Sequence, residues 1–277
     1  MNAGAVLRSA RVRARHGAAG AVTEWAARAG LVARGVIYLL VGLLALGVAL
    51  GHQKRQADSS GALTELADQP FGAVLLWALG IGLVGMAVWR LSEALFGSVG
   101  PDGRTARKRL LGLARCVFYA VAATSVLAFA AGSGGVRSSD AQSRDVTARA
   151  LGVPAGQWLV GAAGAGVVVA GVCIGVQAVR RVYPEDLRTT EMSERTRRWV
   201  DVTGVAGGLT RGVVFAAAGV FAVSAAIAYR PEKAKGLDGT LRTFAATPVG
   251  PWLLAAVAAG LVLFGVFSFA AARWCRV

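Results

Sequence analysis

The stretch Pro70-Phe71-Gly72-Ala73-Val74-Leu75-Leu76-Trp77-Ala78 opens an apolar run that reaches Phe96 and is broken near its end by Arg90, Ser92 and Glu93. It is written twice more, from Pro154-Ala155-Gly156 and from Pro248-Val249-Gly250. The three copies superpose without gaps over about 25 residues, the length that crosses ~30 Å of hydrocarbon. Seven columns are identical, among them the Pro-x-Gly start, Leu75/Leu159/Leu253 and Gly82/Gly166/Gly260. A repeated apolar segment of this length fixes the fold class as an all-α polytopic membrane protein, because an open strand cannot satisfy its backbone in lipid.

Each copy is preceded by a second apolar run. The partners begin Arg34-Gly35-Val36-Ile37-Tyr38, Arg115-Cys116-Val117-Phe118-Tyr119 and Arg211-Gly212-Val213-Val214-Phe215. Six spans result, near Leu31–Leu50, Phe71–Phe96, Leu110–Gly132, Gly156–Val179, Val205–Tyr229 and Val249–Ala272. They form three tandem helical hairpins. Parallel repeats of this kind predict neighbouring hairpins in a pseudo-threefold arrangement about the membrane normal. The chain divides into a basic segment 1–24, hairpins over 25–98 and 99–182, a linker over 183–198, and a third hairpin with a short tail over 199–277. The loops before each Pro-x-Gly carry a short amphipathic stretch, around Leu63/Leu66 in the first copy and Leu241/Phe244 in the third and degenerate in the second, with Thr147, Ala150 and Leu151, which predicts a short helix at that face. Proline at the first helical position would suit each following span, and Thr247 could cap the last one.

Composition agrees. Apolar residues make up 55% and charged residues 16% of the 277, with mean hydropathy +0.56. A soluble domain carries about 25% charged residues. The net charge of +15 would point to nucleic acid on a soluble protein, but here it is distributed by side. Of the 30 Lys+Arg, 21 fall on the face that holds both termini, and the net charges of the two faces are +13 and +2. The positive-inside rule makes that face cytoplasmic, so the expectation is a plasma-membrane protein with both termini inside and no nucleic-acid partner.

Three tandem units of Arg-Gly-Val-aromatic followed by Pro-x-Gly, from about Trp25 to Arg273, resemble the bacterial membrane family called domain of unknown function 1206. In the second unit Cys116 replaces the glycine, and in the first Val74 stands where Trp158 and Trp252 stand in the others. The resemblance implies an integral membrane protein of bacterial, actinobacterial type, and no assigned activity.

The residues leave few groups for chemistry. Arg34, Arg115 and Arg211 occupy one repeat position, and convergence would make a site for an anion or lipid headgroup, since guanidinium binds phosphate bidentately. The plainer alternative is that each snorkels to headgroups and anchors its helix. Glu93 is expected to form an intramembrane ion pair with Arg34 across the hairpin or with Arg90 on its own helix. Gly82, Gly166 and Gly260 are read as helix-packing positions, as are the GxxxG pairs Gly47/Gly51, Gly171/Gly175, Gly204/Gly208 and Gly208/Gly212. Trp25, Trp199, Trp252 and Trp274 fit an interfacial belt. Cys116, Cys173 and Cys275, with His16 and His52, assemble no metal site, and no cofactor or catalytic motif is present. Arg8, Arg11, Arg13 and Arg15 would touch anionic lipid. Two functions stand: a non-enzymatic structural or lipid-binding envelope protein with membrane lipids as partners, including anionic lipid at the cytoplasmic face, or a small transporter or channel for an apolar, lipid or anionic substrate.

Overall fold

A computed structural model describes residues 3–50, 57–97, 105–133, 138–181, 192–246 and 249–274, without the side chains of 3–23, Arg107 and Lys108. His52, Thr247, Pro248, Cys275, most of the 183–198 linker and the side chains of Arg8, Arg11, Arg13, Arg15 and His16 lie outside that description. The helices are α1 (Ala3–Ala49), α2 (Ser59–Ala67), α3 (Gly72–Phe96), α4 (Ala106–Ala130), α5 (Ser139–Leu151), α6 (Gly156–Val179), α7 (Glu194–Ala228), α8 (Leu237–Ala245) and α9 (Gly250–Trp274). Six of them, α1, α3, α4, α6, α7 and α9, are long and apolar enough to cross a membrane. The other three are the short helices expected before each Pro-x-Gly.

The Pro-x-Gly turn has a physical explanation. Phe71 and Ala155 both adopt left-handed backbone, with φ of 64° and 61°. The glycine that follows is the first helical residue, and its N–H donates back across the turn, Gly72 to the Gln69 carbonyl at 2.8 Å and Gly156 to that of Val153 at 2.9 Å. A Cβ on Gly72, Gly156 or Gly250 would run into the carbonyl of Ala67, Ala150 or Ala245 at the end of the short helix. Glycine is therefore required for each short helix to dock on the span it precedes. Pro70 and Pro154 sit one residue before the left-handed cap rather than at the first helical position, because that cap takes the place expected of proline.

The spans form a ring with a cyclic rule. The second span of each unit packs most extensively on the first span of the next: α3 on α4, α6 on α7, and α9 back on α1. Within units, α1 packs on α3 and α7 on α9, while α4 and α6 scarcely touch. Pseudo-threefold order is thus present and open at one joint. The α6–α7 crossing is a glycine crossing, with Gly171 and Gly175 against Gly212 and with Gly208 against Ala178. Small residues allow such backbone approach where lipid supplies no hydrophobic drive.

At the face of the short helices, the N-termini of α2, α5 and α8 meet. The Asp58 carboxylate caps its own helix α2 and also accepts from the N–H and hydroxyl of Ser139 on α5, each at 2.8 Å. Asp140 of α5 accepts from Gly236 N–H at 2.6 Å and Gly239 N–H at 3.1 Å, so it caps α8. Asp238 of α8 accepts from Ala57 N–H at 2.8 Å, just before α2. Three positive helix ends would repel, and three carboxylates passed around the circle satisfy their orphan N–H groups.

Candidate functional site

The repeat arginines lie near the opposite, basic end. Arg34, Arg115 and Arg211 stand 15, 15 and 17 residues before the ends of α1, α4 and α7. At 1.5 Å per residue that is roughly 22–26 Å below the short-helix face, near the far boundary of a ~30 Å hydrocarbon core. An aromatic residue follows each by one helical turn, Tyr38, Tyr119 and Phe215, and so shares its face.

The structure brings these layers together. Arg34 Nε donates to Ser268 Oγ of α9 at 3.1 Å, its side chain hydrogen-bonds the Tyr119 hydroxyl of α4, and its guanidinium lies 5.1 Å from the centroid of Phe264. Arg211 approaches the same Phe264 ring at 5.1 Å, Tyr38 at 5.7 Å and Phe215 at 5.2 Å. Tyr38 meets Phe264 edge-on, with centroids 4.7 Å apart. The charge of Arg211 acts on both Arg34 and Arg115, and that of Arg90 does the same. Arg34 and Arg211 are half-buried and Arg115 is exposed.

Cations dominate the charge around this cluster, with Glu93 acting against them on Arg115. Glu93 pairs with Arg90, three residues earlier on α3, at 2.6 Å. Of the two partners expected for Glu93, its own helix supplies the one it takes. Among the described residues no carboxylate pairs with Arg34, Arg115 or Arg211, and Arg211 Nε is buried without a hydrogen-bond partner. Aromatic faces hold Arg34 and Arg211 instead, each contact contributing about 0.5–2 kcal/mol. Arg34 and Arg211 thus come together beside the Ser268 hydroxyl and a set of aromatic rings, and guanidinium N–H groups are the donors of strong charge-assisted hydrogen bonds to anionic oxygens.

The glycine positions divide. A Cβ on Gly82 would meet Ala33 and Ala29 of α1, and one on Gly260 would meet Thr210 of α7. Gly166 has nothing within 4 Å, contrary to the packing role expected of it, because its partner span α4 stands away. Cys116 and Cys173 are free thiols. Among the described residues no cluster of His, Cys, Asp and Glu could hold a metal ion. Trp25, Trp199 and Trp252 are exposed near span ends.

Sequence reasoning missed Ser268 and Phe264, and with them the way α9 completes the site. Counting from the prolines, Ser268 holds the position of Arg90, and Phe264 that of Met86, so the alignment of even spans carried the signal. It also passed over Asp58, Asp140 and Asp238.

Comparison with known proteins agrees with this repeat structure. The family described as Domain of Unknown Function (DUF1206) matches three times, at residues 29–97, 112–181 and 206–274. The chain is 32% identical over 243 residues to the "Uncharacterized protein YxxB" of Bacillus subtilis (strain 168), covering 87% of each. No solved structure matches it.

Proposed function

This chain belongs to the Domain of Unknown Function 1206 family, and on that premise we propose that it is a non-enzymatic membrane protein whose arginine cluster binds a phosphate-type anion. In this reading the membrane is the bacterial plasma membrane, the basic face is cytoplasmic, and anionic lipid headgroups supply the phosphate. The observation that carries it is that Arg34 and Arg211 converge on one Phe264 ring, each 5.1 Å from its centroid, with no carboxylate paired to either among the described residues, while Arg115 lies within electrostatic reach of Arg211, Arg90 and Glu93. Gathering like charges costs energy unless an anion offsets it. Simple snorkelling would send each guanidinium outward to headgroups, whereas Arg34 and Arg211 turn toward Ser268, Phe264 and Tyr38.

The test is native mass spectrometry of protein extracted from bilayers of mixed phosphatidylglycerol and phosphatidylcholine. Wild type should retain the anionic lipid selectively. The R34Q/R115Q/R211Q variant should lose at least tenfold of that retention, and unchanged retention would refute the reading.

A further inference from the structure

The ring of spans is open at one joint, and its two intact counterparts define what is missing there. Gly82 of α3 packs on Ala33 of α1, and Gly260 of α9 packs on Thr210 of α7. Ala33 and Thr210 are the residues immediately before repeat arginines. The same rule in the second unit would place Gly166 of α6 against Ala114 of α4, the residue before Arg115. That contact is absent: Gly166 faces open space, and Ala114 is exposed.

Bulk does not cause the gap, since glycine and alanine are as small as the pairs that close elsewhere. Each helix is held from its other side. Gly112 of α4 lies against Ala94 of α3, and Arg109 of α4 caps the α3 carbonyls of Ala94 and Leu95 at 2.8 and 3.0 Å. The glycine crossing holds α6 on α7. The spacer also differs, since α5 has 13 residues where α2 and α8 have 9, about 6 Å more helix.

A slot between two membrane helices fills with something apolar, and this one ends beside cations. Arg115 is exposed next to Ala114, and the cations Arg90 and Arg211 act on it, opposed by the Glu93 carboxylate that Arg90 already pairs. We propose that the α4/α6 slot receives one acyl chain of an anionic phospholipid whose phosphate rests on Arg115, with Arg34 and Arg211 behind it. The ligand enters sideways from the bilayer. This rests on the anion-binding reading above and specifies the ligand as a lipid rather than a free phosphate. Charge complementarity selects it over a helix from a second copy, which would need to bring acids to the same place.

The first arm of the test fills the slot with Gly166→Leu and leaves every arginine in place. Phosphatidylglycerol retention should fall at least tenfold, while inorganic phosphate should bind as it does to wild type in calorimetry. If Gly166→Leu retains the lipid fully while R34Q/R115Q/R211Q loses it, the slot is refuted and the anion site stands. If the arginine variant keeps the lipid, the anion site itself fails.

The second arm needs no bulky substitution. Bimane is attached at Gly166→Cys in a background with Cys116, Cys173 and Cys275 changed to Ala. Brominated phosphatidylglycerol should quench it more strongly than brominated phosphatidylcholine, and the preference should vanish in the arginine variant. At Val220→Cys, on the exposed face of α7, the two lipids should quench equally. Equal quenching at Gly166→Cys, or its cross-linking to a second copy, would overturn the proposal.

Discussion

Arg34 and Ser268 are 234 positions apart in the chain and are joined by a hydrogen bond of 3.1 Å, donated by the arginine Nε. Ser268 is fully buried, and its hydroxyl donates in turn to the Phe264 carbonyl at 2.9 Å. The hydroxyl therefore ties the first span to the last and fixes the guanidinium above the Phe264 ring. Ser268→Ala would leave an Arg34 N–H without its acceptor. The expected cost is ~1–3 kcal/mol, read as a lower thermal midpoint in detergent, with Ser268→Thr nearer wild type.

Glu93→Gln separates stability from binding. Removing the carboxylate leaves Arg90 without its partner, and both side chains are largely sheltered, at 14% and 20% exposure. The variant should be less stable. It also makes the arginine cluster more positive, so retention of anionic lipid should hold or rise. A fall in retention in folded Glu93→Gln protein would show that the acid itself contacts the ligand.

The carboxylate circle gives a pH dependence whose sign follows from Asp58. Burial alone would raise its pKa, but hydrogen bonds from Ser60, Gly61 and Ser139 outweigh it and hold the group below the usual carboxylate range. A depressed folded pKa contributes stability that is complete above the unfolded value, about 3.9, and is lost as pH falls through the folded one. Wild type should lose thermal stability below about pH 4. Asp58→Asn should be less stable at pH 7 and show a flatter profile, measured as melting midpoint against pH.

The three repeat glycines should respond differently to one change. Gly82→Leu and Gly260→Leu place side chains into Ala33 and Thr210 and should misfold or lose ~1–3 kcal/mol or more. Gly166→Leu meets no atom and should fold normally. Size-exclusion profiles and melting midpoints distinguish the cases, and equal damage at all three would mean that the second joint closes like the others.

At the Pro-x-Gly turns, adjacent substitutions should have opposite consequences. Gly156→Ala drives a Cβ into the Ala150 carbonyl and should cost ~1–3 kcal/mol. Ala155→Gly relieves a left-handed alanine, worth ~1–2 kcal/mol, against a loss of up to ~1 kcal/mol through the freer unfolded chain. It should be neutral to mildly stabilising in thermal melts.

The parts legible from sequence were those written at a constant register. Pro70, Pro154 and Pro248 align to the residue, so the even spans and the short helices before them follow, while the arginines were found through their own Arg-x-Val motif. The carboxylate circle was hidden because Asp58, Asp140 and Asp238 stand 12, 14 and 10 residues before those prolines, out of register with one another. The start of α7 moved to Glu194 from the expected Val205, since the polar turns ahead of the apolar run are helical too, with the Ser193 hydroxyl accepting from Thr196 N–H. The open joint was illegible for another reason. Gly166 and Ala114 are as small as the pairs that close, and what distinguishes them is the grip of α3 on α4 and of α7 on α6, together with the longer α5 between them.

The return of α9 to α1 also dictates when the protein can be finished. As the chain is made, α1 is inserted first and its principal partner last, roughly 200 residues later, and such a long-range contact is slow to form. Until α9 arrives, Arg34 has neither Ser268 nor Phe264 beside it, and of its partners only Tyr119 of α4 is already made. Surveillance proteases at the membrane would meet that half-built face in any ribosome product that stalls before the third hairpin, so loss of the last span should doom the first.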